Sequence, residues 1–211
     1  MATSLALNTG YLGKHQPDVD VRLYTNSGTV LPDQRIALAR MALEQGADWT
    51  VWIDDDMRFP KDAIERLLAH RKPIVGANYP TRRWPAIEPV TFKDEATTER
   101  VYTSSNSAGL ESVASIGLGC AVVHRSVYDA IMAPWFFYEW DEVGCKYDGY
   151  EDAYFCRKAR KAGFDVLIDH DVSKEVAHVG QMEYTNLAAD AMRERVHILR
   201  PQLVQNHIKT A

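Results

Sequence analysis

The chain has 211 residues, 46% of them hydrophobic and 25% charged, the make-up of one well-filled globular domain and too short for two full ones. The net charge of −5 and pI near 5.8 argue against a protein that coats nucleic acid through a basic surface. No apolar run approaches the roughly 20 residues of a membrane span. The N-terminal stretch Met1–Asn8 has no basic leader, so no secretory signal is expected. The three cysteines, Cys120, Cys145 and Cys156, are odd in number and include no Cys-x-x-Cys pair, which suits a reduced, cytoplasmic setting.

Strand-like and helix-like segments alternate along the chain. Leu5–Asn8 and Val21–Thr25 read as short strands that end in small polar residues. Pro32-Asp33 opens a helix through Leu43 that stops at Gly46. Thr50–Ile53 is β-branched and aromatic enough for a buried strand. Ala63, Ile64, Leu67 and Leu68 then recur at helical spacing, with the helix ending near His70-Arg71. Pro73–Ala77 is the next strand, and the close strand–helix–strand spacing predicts a parallel crossover. Tyr79 to Ser115 is polar and irregular, with short strands at Val90–Phe92 and Arg100–Tyr102. A strand at Cys120–Val123, a helix at Ser126–Met132, a helix at Asp152–Ala162 closed by Gly163, and a strand at Asp165–Ile168 follow. A C-terminal helix starts at Asn186, running through Leu199 to about residue 208. With no repeat or linker, residues 1–211 read as a single α/β domain.

Three groups of residues carry chemistry. Asp54, Asp55 and Asp56 directly follow the buried strand, and in open α/β sheets ligands sit beyond the carboxyl ends of strands. Adjacent carboxylates repel unless a cation neutralises them, and an extended chain puts Asp54 and Asp56 on one side. Hard oxygen donors then favour Mg²⁺ or Mn²⁺; a solvated acidic turn is the plainer reading. Glu151 and Asp152 open a helix, where the helix dipole alone would explain them, or where one serves as a general base. His178, within Val176–Gly180, is either a packed core histidine or a third metal ligand.

In this order the three groups resemble the GT-A glycosyltransferases of the DxD-containing, family-2-like kind, and most of all a compact group common in bacteriophage genomes. The residues that carry the resemblance are Trp52–Pro60 with its Asp-rich centre, Gly117-Leu118-Gly119-Cys120, Pro134-Trp135-Phe136, Glu151-Asp152 with Phe155-Cys156 and Ala162-Gly163-Phe164, and His178-Val179-Gly180. The resemblance implies a Rossmann-like domain with a mostly parallel central sheet flanked by helices. It also implies Mn²⁺ or Mg²⁺ as cofactor and a nucleotide-sugar donor, a UDP-sugar first among them. Asp56 would bind the metal directly, Asp54 the metal or the donor ribose, and His178 the metal from the far side. Asp152, with Glu151 beside it, would act as the base. Donor contacts fall on Thr9, Asn26, Arg35, Asp54, Asp55, Gly117 and Gly119. Ile36 stands where related sequences carry Asn, and Tyr150 where they carry Gly.

The acceptor side is drawn from Trp135, Tyr150, Arg82 and Arg83. Trp135 and Phe136 offer a platform for a sugar or base, and core packing explains them equally well. Gly117 and Gly119 permit close backbone approach to a sugar, or mark a β-bulge. Arg82-Arg83-Trp84 is a basic–aromatic set able to engage a nucleic-acid strand, which makes a modified base in phage DNA one candidate acceptor beside polysaccharide, lipid and protein. Arg157–Lys161 reads as a solvated helix face. A sugar-nucleotide nucleotidyltransferase is the alternative class, but Asn8–Gly13 is too sparse in glycine for its phosphate loop.

Overall fold

The computed structural model describes residues 2–95, 99–181 and 183–196. The elements run α1 (Ala2–His15), α2 (Leu31–Glu44), β1 (Trp49–Ile53), β2 (Met57–Arg58), α3 (Ala63–Ala69), β3 (Ile74–Gly76), β4 (Leu110–Val113), β5 (Cys120–His124), α4 (Arg125–Ala130), β6 (Glu139–Asp141), β7 (Lys146–Asp148), α5 (Glu151–Lys161), β8 (Val166–Asp169), α6 (His170–Ser173), β9 (Ala177–Val179), β10 (Glu183–Thr185) and α7 (Asn186–Met192). The expected C-terminal helix thus starts where predicted, and its part beyond Val196 lies outside the described residues.

The central sheet has the order β1-β5-β3-β8-β4. Side chains alternate across it with the two-residue period of a strand. Ala121 and Val123 of β5 join Ile74, Val166 and Ile168 on one face, packed with Ala39 of α2, Val127 of α4 and Phe155 of α5. Cys120 and Val122 join Val75 and Leu167 on the other, packed with Ala63 and Leu67 of α3 and Val172 of α6. Both faces are covered, so the strands read as continuous apolar runs.

The resemblance implies a mostly parallel sheet, and here the structure differs. Among the named pairs of this sheet β3–β8 is parallel, while β1–β5, β3–β5 and β4–β8 are antiparallel. The expected crossover from β1 to β3 exists, but β5 returns between them and runs antiparallel to both. A continuous apolar run reports burial on two faces and is silent on strand direction.

The first two expected strands also differ. Leu5–Asn8 lies in α1, whose inward face is Ser4, Asn8 and Leu12 at four-residue spacing. Asn8 Oδ1 accepts the Ile64 N–H (3.2 Å) and its Nδ2 donates to Pro60 O (2.6 Å), so the buried amide satisfies the first turn of α3, which Asp62 leaves uncapped. Val21–Thr25 is not assigned to a strand, and its side chains are mostly exposed. A small sheet, β10-β9-β2, has no counterpart among the expected elements. Its register sets His178 opposite Met57, and Val179 N–H donates to Asp56 O at 2.7 Å. Among the described residues no helix is long and apolar enough to cross a membrane.

Candidate functional site

β1 ends at Ile53, and the chain turns at once: Asp54 N–H donates to Gly119 O (3.1 Å) and Met57 N–H to Asp54 O (3.3 Å). The extended alternation expected for the three aspartates is therefore broken. A turn sends their carboxylates apart. Asp54 Oδ1 accepts from Arg35 Nη2 at 3.1 Å, Asp55 is exposed, and Asp56 Oδ2 lies 3.0 Å from His178 Nε2 and 2.8 Å from Arg82 Nη1. Among the described residues no three His, Cys, Asp or Glu side chains are grouped as a metal site. Asp56 and His178 converge without Asp54.

Arg35 is the hub of the inner half. It is 5% exposed, sits over the Trp52 ring at 5.5 Å, and its Nε donates to Glu151 Oε1 at 3.0 Å. A buried guanidinium between two carboxylates offsets the desolvation of all three, whereas loss of one member strands the others. Glu151, 3% exposed, is thereby held as a partner of Arg35. Glu151, expected to share catalysis with Asp152, lies in that buried pair.

Asp152 is in the first turn of α5, with Tyr150 at the cap position and making no side-chain cap bond. Its Oδ1 accepts the Ala153 N–H at 2.7 Å. Burial, then the neighbouring Glu151 and Asp54 charges, push its carboxyl up to about 7, while Arg35 and the Ala153 N–H hold it down. A carboxyl poised there can accept a proton near neutral pH.

Tyr79 joins the two halves, and sequence reasoning missed it. Its hydroxyl accepts the Gly119 N–H at 2.8 Å, and its ring meets His178 edge-on at 5.5 Å. A Cβ on Gly117 or Gly119 would lie 2.3 or 2.6 Å from that hydroxyl. The two glycines make room for Tyr79, in place of the sugar contact expected of them. The signal was present: Asn78–Arg83 follows the carboxyl end of β3, the same position that singled out Asp54 after β1.

A cleft of about 1780 Å³ opens in front of these groups. Thr9, Asn26, Arg35, Asp54, Asp55, Asp56, Arg82, Arg83, Tyr150, Asp152 and His178 all contribute to its wall. Thr9 and Asn26 are exposed on α1 and the following loop. Arg83 Nη2 donates to Tyr150 Oη at 3.4 Å, so these two expected acceptor residues stand together. Trp135 does not join them. Its Nε1 donates to Ile131 O at 3.2 Å and its ring packs on Tyr128 at 5.3 Å, while Phe136 is fully buried against Trp52 and Phe155. Core packing, the plainer of the two readings, is what the structure shows.

The fold and cleft define an α/β protein with a mixed five-stranded sheet, helices on both faces, and acidic groups gathered at the carboxyl end of β1. Among solved structures it is similar to the crystal structure of A197 from STIV, with a TM-score of 0.50 and 15% sequence identity over 82% of this chain and 78% of that one. At that identity the likeness speaks for the fold alone. No protein-family model and no curated protein matches the chain in sequence.

Proposed function

We propose that the chain is a metal-dependent glycosyltransferase of GT-A type that moves a sugar from a nucleotide-sugar donor, a UDP-sugar first, to an acceptor hydroxyl. The observation that carries the proposal is one cleft lined by Asp54, Asp56, His178 and Asp152, brought from three remote stretches of sequence. A single acidic turn would be commonplace; an acid–imidazole pair and a carboxyl held up to about 7 on one wall are not.

The donor set suits a hard or borderline dication. His178 Nδ1 lies 3.1 Å from Pro80 O, which can only accept, so Nδ1 carries a proton and Nε2, 3.0 Å from Asp56 Oδ2, is the nitrogen that would face a shared cation. Mn²⁺ or Mg²⁺ held by Asp56 and His178 would neutralise charge on the departing diphosphate. Asp54, fixed by Arg35, is left to orient the donor. In the same cleft Asp152 takes the acceptor's hydroxyl proton as that oxygen bonds to the sugar's anomeric carbon. The bond from that carbon to the diphosphate oxygen breaks, and its electron pair leaves with the diphosphate. Arg83 and Tyr150 form the acceptor wall, a cation and an exposed aromatic suited to a modified base in DNA among hydroxyl-bearing acceptors.

The test is a screen of nucleotide sugars for donor turnover with Mn²⁺, with Mg²⁺ and with EDTA. We expect release of the nucleoside diphosphate with either ion and none in chelator. Full turnover in EDTA would overturn the metal reading. Release of inorganic pyrophosphate from a nucleoside triphosphate and a sugar phosphate would instead make the protein a nucleotidyltransferase.

A further inference from the structure

Asp56 Oδ2 is claimed twice, by Arg82 Nη1 at 2.8 Å and His178 Nε2 at 3.0 Å. On its other side His178 Nδ1 donates to Pro80 O at 3.1 Å. The Arg82 guanidinium sets a full positive charge against that carboxylate. The three groups are not equally fixed. The Asp56 and His178 side chains are 21% and 14% exposed, pinned by the β2–β9 pairing and by Pro80, whereas that of Arg82 is 47% exposed. The Arg82 arm rests on Gly180, where a Cβ would come within 3.1 Å of its Cδ, and its second contact, to Val179 O, is at 3.5 Å. Arg35 is the contrast: a 6% exposed side chain bridging two carboxylates. One arginine is built in; the other lies on the surface.

We infer that Arg82 is a resident counter-cation. It neutralises Asp56 while the cleft is empty, gives that oxygen up to the divalent cation, and then turns its guanidinium to the diphosphate that arrives with the cation. This rests on the metal reading above and adds the order of events to it. The planar, two-pronged donor set of arginine suits both resting places, because carboxylate and phosphate present the same paired oxygens. Metal and nucleotide binding are thereby coupled. The metal frees Arg82, and the diphosphate gives it a new partner, so each ligand favours the other by the same factor.

The experiment compares wild type with Arg82→Gln and Asp56→Asn, using Mn²⁺ alone (free ion by electron paramagnetic resonance) and then UDP at saturating Mn²⁺ (calorimetry). Melting curves check that each variant folds. Arg82→Gln should bind Mn²⁺ about three- to fivefold more tightly, the gain from removing a competing half-exposed ion pair. The same variant should bind UDP at least about fivefold more weakly, having lost a charge-assisted bond to phosphate. Asp56→Asn should lose Mn²⁺ altogether. Unchanged or weaker Mn²⁺ binding in Arg82→Gln would overturn the inference and leave the metal reading standing. Unchanged UDP binding would overturn the exchange of partners. If neither wild type nor Arg82→Gln bound Mn²⁺, the metal reading would fall and this inference with it.

Discussion

Replacing Asp152 by Asn should make the protein more stable and less active at once, and the size of the first effect follows from the site. Burial and the Glu151 charge hold the Asp152 carboxyl at about 7, against an ordinary 3.8. Below about pH 4 the group is protonated in both folded and unfolded chains and contributes no difference. As pH rises from there toward 7 the unfolded chain gives up its proton and the folded one keeps it, so stability falls; above about 7 the loss is complete. At about 1.36 kcal/mol per pKa unit the full loss is on the order of 4 kcal/mol, or about 2 to 4 once partial contact with solvent is allowed for. Asn does not titrate. Wild type and Asp152→Asn should therefore be nearly equal at about pH 3.5, with the variant about 2 to 4 kcal/mol more stable at about pH 8. Urea unfolding followed by tryptophan fluorescence across that range measures the gap. If Asp152 were only a first-turn acid serving the helix dipole, its loss would cost a few tenths of a kcal/mol at pH 8, the opposite sign. A gap that did not change with pH would refute the reasoning. Transfer should fall roughly 10²- to 10⁴-fold in the variant, and wild-type transfer should rise as pH passes about 7.

Two further substitutions probe the framework of the site. Arg35→Met strands Glu151 without its cation and should cost about 3 to 5 kcal/mol. Adding Glu151→Gln should recover part of that, and additive losses in the double variant would deny the pair. Gly119→Ala drives a Cβ to 2.6 Å from the Tyr79 hydroxyl and should cost about 1 to 3 kcal/mol by overpacking. Tyr79→Phe in the same chain should relieve part of it, as chemical denaturation would register.

Elements defined by a local pattern were legible in the sequence. α2, α3 and α5 announce themselves by apolar spacing and by Gly46 and Gly163 in the left-handed region just past α2 and α5. Where the pattern has two causes, reading it failed. Leu5–Asn8 is short enough to pass for a strand, and only Asn8, whose amide completes the start of α3, shows why the helix is the better packed state. Strand direction failed for a related reason. Ile74–Gly76 is buried on both faces whichever way its neighbours run, and β5 reaches its place between β1 and β3 only after the long excursion from Ala77 to Gly119.

The candidate site divides along the same line. Residue types at strand ends and helix starts were readable, which is why Asp54, Asp56 and Asp152 were singled out together. Their partners were not: Asp56 meets His178 through β2, a strand of two residues that no periodicity could reveal. One part could have been read further. Glu151, Phe155 and Ala159 fall at four-residue spacing and share the buried face of α5 with Cys156, and at about 100° per residue Asp152 falls within the same arc. That spacing by itself assigns Glu151 to the core; it does not set Asp152 apart, which the structure places on the cleft wall. A carboxylate on the buried face requires a buried cation, and Arg35 occupies the inward face of α2 beside Ala39 and Ala42. The two adjacent acids were never equivalent. Arg35 makes one a tie to the framework, and the other stands on the cleft wall.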